Sequence, residues 1–261
     1  MREQETTAIS IDHQPTLRNS EREPMHVSAV LFDLDDTLLV RRPSLLRFAE
    51  AFTKDYSSHL DVDHVNAESV NQALVTADGG GYRARDEVFA ELLDVLPWHT
   101  YPDIAHLRIY WQQMFPRCAT PTEGLDKLLM QLRHAGLRLG IITNGGSAVQ
   151  QLKIDALGIR KHMESIVVSE SVGVSKPDVR IFQRGLTELE LAPAEVLYVG
   201  DHPVNDVLGA SAAGMTSIWL KGTYAWPTEH KEPEFQLERI DDLVELLEQR
   251  FGQTTQKTKQ E

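Results

Sequence analysis

Four clusters of acidic and small polar residues are the part of this chain that could perform chemistry. In chain order they are Asp33-Leu34-Asp35-Asp36-Thr37, Thr143-Asn144, Lys176-Pro177, and Gly200-Asp201 with Asn205-Asp206 close behind. Three of the four follow directly on a short apolar segment, and buried strands of parallel sheets have this near-continuous apolar character. If the sheet is parallel, the clusters converge on one edge that holds several carboxylates and one lysine.

Carboxylates crowded at one edge would repel one another, and some of them would take up protons. A hard divalent cation relieves this repulsion, and Mg²⁺ prefers carboxylate, water and phosphate oxygens. The cation would also offset the repulsion between a phosphate dianion and an attacking carboxylate. Asp33 could then act as a nucleophile and form an aspartyl-phosphate. An acid two residues further on could protonate the leaving group and later activate water.

Outside these clusters, the chain alternates between strand-like and helix-like segments. Strands are predicted at 27–32, 137–142, 165–168, 196–199 and 216–220, and helices at 122–134, 147–157, 178–191, 205–213 and 241–250. This alternation predicts a parallel sheet covered by helices on both faces. Ligands of such sheets bind beyond the carboxyl ends of the strands, which is where the polar clusters are placed.

Residues 41–118 show helical spacing of apolar residues and no convincing strand, with helices predicted at 44–59, 63–76, 85–96 and 104–114. We therefore expect a helical insertion directly after the first strand. Gly79-Gly80-Gly81 is predicted to be a mobile loop within it. The predicted organisation is a flexible N-terminal arm at 1–25, a core at 26–40 and 119–251, the insertion at 41–118, and a flexible C-terminal tail at 252–261.

At the four clusters the sequence resembles the haloacid dehalogenase (HAD) superfamily, and within it the phosphatases that carry a helical cap. The clusters match the four motifs of that family in the same order, and the similarity covers roughly residues 27–220. The resemblance implies an α/β fold, with a Rossmann-like parallel sheet core and a helical cap domain inserted after the first strand. Such a cap closes over the site and excludes water before chemistry.

The resemblance also implies roles for the acidic residues. Asp33 would be the nucleophile and a metal ligand. Asp35 would be the general acid/base and would bind Mg²⁺ through its backbone carbonyl. Asp201 would be a further metal ligand, directly or through water, and Asp206 would orient Lys176 from outside the coordination shell.

The remaining motif residues, Thr143, Asn144 and Lys176, are implied to bind the phosphoryl group. Taken together, the sequence predicts a Mg²⁺-dependent phosphatase that hydrolyses a small phosphorylated metabolite through an aspartyl-phosphate on Asp33. Three alternatives remain open: a phosphomutase, a 2-haloacid dehalogenase on the same fold, and a non-catalytic binding protein. Asp35 disfavours the dehalogenase, because dehalogenases of the family do not usually keep an acid at that position.

The amino-acid composition limits which binding partners and which cellular compartment we expect for this protein. The chain has 261 residues, with 26 Lys and Arg against 39 Asp and Glu, and so a formal net charge of −13. This balance argues against binding to nucleic-acid polymers or anionic membranes through bulk charge. The single cysteine, Cys118, permits neither an intramolecular disulfide nor a cysteine-based metal site. Residues 1–24 lack the apolar segment of a signal peptide, so a cytoplasmic protein is expected.

Several side chains allow two interpretations. His202 is more simply a loop histidine than a ligand. The segment 79–85 is either a substrate loop or a flexible loop with solvated arginines. Trp98, Trp111 and Phe115 are expected to pack inside the cap rather than to stack on a substrate. The sequence leaves the identity of the phosphate ester and the oligomeric state open.

Overall fold

The computed structural model describes residues 26–252, so the arm predicted at 1–25 and the tail beyond Gly252 lie outside the described residues. Six parallel strands form one sheet in the order β3-β2-β1-β4-β5-β6. They are β1 Ala29–Phe32, β2 Arg138–Thr143, β3 Ser165–Val168, β4 Val196–Gly200, β5 Thr216–Leu220 and β6 Phe235–Leu237. The five predicted strands are confirmed. Sequence patterning missed β6, because this three-residue edge strand is too short to show a period.

Ten α-helices accompany the sheet in the described part of the chain. They are α1 Arg41–Asp55, α2 Ala67–Asp78, α3 Arg85–Val95, α4 Ile104–Met114, α5 Leu125–His134, α6 Ser147–Ala156, α7 Ser169–Val172, α8 Val179–Leu189, α9 Gly209–Ala212 and α10 Leu243–Phe251. The segment predicted as one helix at 205–213 forms two consecutive helical elements. It opens as a π-helical turn, Pro203–Leu208, before α9 begins. No helix among residues 26–252 is long and apolar enough to cross a membrane.

Apolar helices cover both faces of the sheet. Alternate residues of β1 enter two different cores: Val30 and Phe32 join one, and Ala29 and Leu31 join the other. This alternation follows from the two-residue period of a strand. Helices α5, α6 and α10 contribute to the first core, and α8 and α9 to the second. The α/β fold predicted from strand and helix alternation is therefore confirmed.

The helices between β1 and α5 form a helical cap with a hydrophobic core of its own. All buried members of that core lie between Leu45 and Cys118. Phe48 packs at 4.7 Å from the ring of Trp111, which stacks on Phe115 at 4.1 Å. The expected packing of Trp111 and Phe115 is confirmed. The cap boundaries at 41 and 118 stay a prediction.

Two neighbouring backbone hydrogen bonds join the segments that enter and leave the cap. The Val40 N–H donates to the Thr120 carbonyl at 2.9 Å, and the Thr122 N–H donates to the Leu38 carbonyl at 3.0 Å. Because Leu38 follows closely on the first acidic cluster, these bonds place the cap beside the carboxyl end of β1.

Close packing between β1, β2 and β3 depends on Gly140. A Cβ atom at this position would lie 2.6 Å from Leu31 Cδ2 and 2.9 Å from the Ser165 carbonyl oxygen. We expect Gly140→Ala to lower the free energy of unfolding by ~1–3 kcal/mol, because the backbone oxygen cannot move aside easily. Urea denaturation measures this change.

Gly146→Ala is the matched control. Its φ of −75° suits any residue, and the nearest atoms to an added Cβ lie 3.9 Å away. We expect this variant to be unchanged or more stable by up to ~1 kcal/mol. Equal stability of the two variants would contradict the packing of β2 described above.

Candidate active site

A cavity of about 410 Å³ lies at the carboxyl end of the sheet, between the sheet and the cap. Asp33 follows β1, Thr143 ends β2, and Asp201 follows β4. The cavity is lined by all the residues for which the sequence predicted a role: Asp33, Asp35, Thr143, Asn144, Lys176, Asp201 and Asp206. The parallel topology thus brings together side chains that are up to 173 positions apart in the sequence.

Lys176 joins two of the carboxylates. Its ammonium nitrogen lies 2.5 Å from Asp33 Oδ1 and 2.6 Å from Asp206 Oδ1, and all three side chains are buried. The hydroxyl of Tyr198 lies 3.1 Å from the same nitrogen. Burial alone would lower the pKa of Lys176, but Asp206 and Asp33 raise it well above its ordinary value. Lys176 is therefore a buried cation at neutral pH.

The single positive charge of Lys176 does not neutralise the three carboxylates around it. Asp33, Asp201 and Asp206 each place a carboxylate oxygen within 4.8 Å of the others. Burial, followed by repulsion from Asp33 and Asp206, raises the pKa of Asp201 to about 9. Burial also raises the pKa of Asp33, to about 7, although Lys176 acts in the opposite direction. Without a further cation, this cluster disfavours full ionisation.

The same cluster leaves oxygen atoms available for a cation. Asp201 Oδ2 is buried and has no hydrogen-bond partner among residues 26–252. Asp206 uses both oxygens within the protein, since Oδ1 binds Lys176 and Oδ2 accepts from the His202 N–H at 2.9 Å. Asp33 and Asp201 are thus better placed as ligands than Asp206. This all-oxygen set with excess negative charge fits a hard divalent cation such as Mg²⁺.

The two polar residues after β2 differ in what they contact. The side chain of Asn144 donates to the Lys176 carbonyl at 3.0 Å and accepts from the Lys176 N–H at 2.8 Å. Asn144 therefore fixes the loop that carries the lysine, and its predicted contact with a phosphoryl group stays a prediction. The Thr143 hydroxyl is buried and accepts from Gln150 Nε2 at 2.6 Å.

Asp35 stands apart from the acidic cluster and has its own cations. Lys153 Nζ lies 2.7 and 2.8 Å from its two oxygens, and Gln150 Nε2 donates to Oδ2 at 2.9 Å. Arg41 Nη1 lies 3.5 Å from Oδ1. Burial would raise the pKa of Asp35, but Lys153 and Arg41 outweigh burial and lower the pKa to about 2. Asp35 is a carboxylate in this arrangement, and its predicted backbone contact with a metal stays a prediction.

A buried ion-pair network extends from Arg41 into the cap. The Nε and Nη2 atoms of Arg41 donate to the two carboxylate oxygens of Asp78, at 2.6 and 2.7 Å. Arg85 Nη1 donates to Asp78 Oδ1 at 2.6 Å. Gly81 permits this arrangement, because a Cβ there would lie 2.8 Å from Arg41 Cζ. The network connects helices α1, α2 and α3 to Asp35.

The segment 79–85 borders the cavity, and its two arginines form ion pairs, Arg83 with Glu91 and Arg85 with Asp78. Residues Gly79–Gly81 form a 3₁₀ turn, and its predicted mobility stays a prediction. Tyr82 accepts a hydrogen bond from Asn205 Nδ2 at 2.9 Å. His202 Nδ1 accepts from the Val204 and Asn205 N–H groups, so this side chain caps the π-helical turn as a loop histidine.

Sequence reasoning missed several residues that hold the site together, namely Arg41, Asp78, Gln150, Lys153 and Tyr198. Gln150 and Lys153 resemble the polar face of an ordinary surface helix. One usable signal existed: Tyr198 is a lone phenol in the buried strand Val196–Gly200, and a buried tyrosine hydroxyl normally has a hydrogen-bond partner.

The fold and the site together define a parallel α/β protein with acidic motifs at the carboxyl end of its sheet. A model of the family described as haloacid dehalogenase-like hydrolase matches residues 30–220. The chain belongs to this family.

Named relatives act on phosphate esters. Glyceraldehyde 3-phosphate phosphatase of Pyrococcus abyssi is 30% identical over 230 residues, which cover 87% of this chain and 96% of the relative. Pyrimidine 5'-nucleotidase of Escherichia coli is 30% identical over 232 residues, which cover 84% of this chain and 96% of the relative.

Solved structures share the fold. The HAD-hydrolase YfnB from Bacillus subtilis, bound to magnesium, aligns with a TM-score of 0.66 at 23% identity and covers 85% of this chain and 99% of its own. An L-2-haloacid dehalogenase from Xanthobacter autotrophicus aligns with a TM-score of 0.63 at 20% identity, covering 85% of this chain and 99% of its own.

The buried Asp78 carboxylate should be important for stability. Asp78→Asn leaves two guanidinium groups without their anion, so we expect a loss of about 3–5 kcal/mol in the free energy of unfolding at pH 7. Burial would raise the pKa of Asp78, but Arg41 and Arg85 lower it below its ordinary value. A lowered pKa stabilises the fold above the unfolded pKa near ~4, and this contribution is lost as the pH falls.

Urea unfolding at pH 7 and at pH 3 tests both parts of this prediction. The difference in the free energy of unfolding between Asp78→Asn and the parent protein should be smaller at pH 3 than at pH 7. Asp86→Asn removes an exposed carboxylate that pairs with Arg108 at 3.2 Å, and should cost less than ~1 kcal/mol. A pH-independent difference for Asp78→Asn would contradict the ion-pair explanation.

Proposed function

We propose that this protein is a Mg²⁺-dependent phosphatase that hydrolyses small phosphate monoesters through an aspartyl-phosphate on Asp33. The observation that carries the proposal is the buried cluster of Asp33, Asp201 and Asp206 around Lys176, in which one Asp201 oxygen has no partner within the described residues. The named relatives, which are phosphatases and a nucleotidase, support the same class of substrate. A cavity of about 410 Å³ suits a small phosphorylated molecule.

Binding of the phosphate dianion requires compensation of charge. Mg²⁺ held by Asp33 and Asp201 would supply Lewis-acid charge stabilisation at the phosphoryl oxygens. Lys176 contributes a fixed positive charge, and Asp206 keeps its ammonium group oriented. Thr143 lines the same cavity, and its hydroxyl can donate to a phosphoryl oxygen there.

Two chemical steps follow from the positions of the carboxylates. In the first, an oxygen of Asp33 bonds to phosphorus while the ester P–O bond breaks, and Asp35 gives its proton to the departing oxygen. In the second, Asp35 takes a proton from water, whose oxygen bonds to phosphorus and releases Asp33. Repulsion by the bound phosphoryl group favours the protonated form of Asp35 that the first step needs, against the opposing effect of Lys153 and Arg41.

Replacement of the nucleophile tests the reaction directly. Asp33→Asn should reduce phosphate release from p-nitrophenyl phosphate and from a panel of alkyl phosphates by at least ~10³-fold, because the amide cannot form the acyl-phosphate bond. Phosphate release with Mg²⁺ present is the measurement.

Asp94→Asn is the control, since Asp94 is an exposed carboxylate on α3, and it should retain parental activity. Full activity of Asp33→Asn would overturn the proposal. Halide release from a 2-haloacid, with no phosphate release from any ester, would instead identify a dehalogenase.

Removal of the metal should alter stability as well as turnover. EDTA should abolish phosphate release, and added Mg²⁺ should restore it. Mg²⁺ at about 100 times its Kd should stabilise the fold by ~2.7 kcal/mol, seen as a higher Tm. The folded state disfavours the charged form of Asp201, since the pKa is raised, so the metal-free protein loses stability as the pH rises toward 9.

Asp201→Asn separates these effects. In EDTA at pH 8 this variant should melt at a higher temperature than the parent protein, because it lacks the uncompensated buried charge. Mg²⁺ should raise the Tm of the parent protein much more than that of the variant. An equal response of both proteins to Mg²⁺ would rule out Asp201 as a ligand.

A further inference from the structure

Two buried polar side chains on helix α6 point into the catalytic cavity. Gln150 and Lys153 are one helical turn apart, and only 2% and 4% of their surfaces are exposed. Burying an amide and an ammonium group is costly unless both are fully paired. Both side chains contact the Asp35 carboxylate, and Gln150 also contacts the Thr143 hydroxyl. The proposed reaction needs these two groups in fixed relative positions.

Gln150 connects these two groups through a single nitrogen. Its Nε2 atom lies 2.9 Å from Asp35 Oδ2, 2.6 Å from Thr143 Oγ1 and 3.1 Å from the Asn144 carbonyl oxygen. An amide nitrogen carries two protons and no acceptor site, so these three oxygens share two protons, and Thr143 Oγ1 accepts at the shortest distance, 2.6 Å. Thr143 is then free to direct its own proton elsewhere.

The structure gives the Thr143 proton only a poor protein acceptor among the described residues. The Asn144 carbonyl lies 3.4 Å away, beyond the usual length of an O–H···O bond. Thr143 lines the cavity, where a phosphoryl oxygen would be a stronger acceptor for this proton. Gln150 thus makes Thr143 a donor toward the substrate.

Lys153 fixes the other half of the arrangement. Its ammonium group contacts both oxygens of Asp35, at 2.7 and 2.8 Å, which restrains rotation of the carboxyl group. The ring of Phe115, from the cap, lies 5.5 Å from the same nitrogen. The cap and α6 together therefore confine the lysine next to Asp35.

We propose that Gln150 and Lys153 are positioning residues that hold the Asp35 carboxyl group and the Thr143 hydroxyl in register on either side of the bound phosphoryl group. This inference rests on the proposed phosphatase function. In that reaction the ester P–O bond breaks as the Asp33–phosphorus bond forms, and the Asp35 proton moves to the departing oxygen. Misplacement of Asp35 weakens this proton transfer and leaves the nucleophile in place.

The leaving group provides a readout that a purely structural role would not move. An alkyl alkoxide needs a proton as it departs, whereas p-nitrophenolate departs without one. The experiment measures kcat/KM for p-nitrophenyl phosphate and for the alkyl phosphate that the parent protein hydrolyses fastest. In Gln150→Leu and Lys153→Met, the ratio of alkyl to aryl kcat/KM should fall at least ~10-fold, because loss of the fixed Asp35 position outweighs the easier protonation that removal of Lys153 allows.

Matched variants separate positioning from general damage. Lys153→Arg keeps the charge and should recover most of the lost ratio. Gln151→Leu makes the same change at the neighbouring position of α6, where the side chain pairs with exposed Arg160, and should leave the ratio unchanged. Lys161→Met removes an exposed lysine and should also leave it unchanged. Urea unfolding of each variant identifies any that has lost its fold.

A double-mutant cycle tests the connection to Thr143. The kcat/KM losses of Gln150→Leu and Thr143→Ala should be clearly less than multiplicative in the double variant, because each removes the same oriented hydroxyl. Folded variants with an unchanged alkyl-to-aryl ratio and multiplicative losses would overturn the inference. Absence of phosphate release by the parent protein from every ester would overturn the proposed function instead.

Discussion

The burial of several carboxylates close together is the constraint around which the carboxyl end of the sheet is organised. Asp33, Asp201 and Asp206 meet within a few ångströms because parallel strands deliver their carboxyl ends to one edge. Lys176 neutralises part of this charge, and burial, followed by repulsion from neighbouring carboxylates, raises the pKa values of Asp33 and Asp201. A hard divalent cation, which prefers oxygen ligands, would neutralise the remaining negative charge. Phosphate oxygens are among the ligands that such a cation binds.

The charge of Asp35 is compensated by a second group of residues, which includes the cations Lys153 and Arg41. Asp35 is two residues from Asp33, yet its oxygens contact Lys153 and Gln150 on α6 and lie near Arg41 on α1. Burial raises the pKa of Asp33, whereas cations lower that of Asp35. Two carboxylates in different environments can serve as nucleophile and as acid/base within one reaction.

The cap is part of this electrostatic arrangement as well as a cover. Its apolar core is separate from the two cores that flank the sheet, but Arg41 and Asp78 carry an ion-pair network from the cap helices to Asp35. Any displacement of α1 would therefore change the positive charge next to Asp35.

The sequence alone predicted five of the six strands, the helical insertion, the family and seven of the polar residues that line the cavity, because these depend on local apolar period and on motifs contiguous in the chain. Only the tertiary structure decided how those residues are paired. That Gln150 and Lys153 turn inward on α6, that Asn144 braces Lys176, and that β6 extends the sheet all depend on contacts between distant segments. A glutamine or lysine on a helix has the same local pattern whether it faces water or a buried carboxylate, so only the packed neighbours distinguish the two cases.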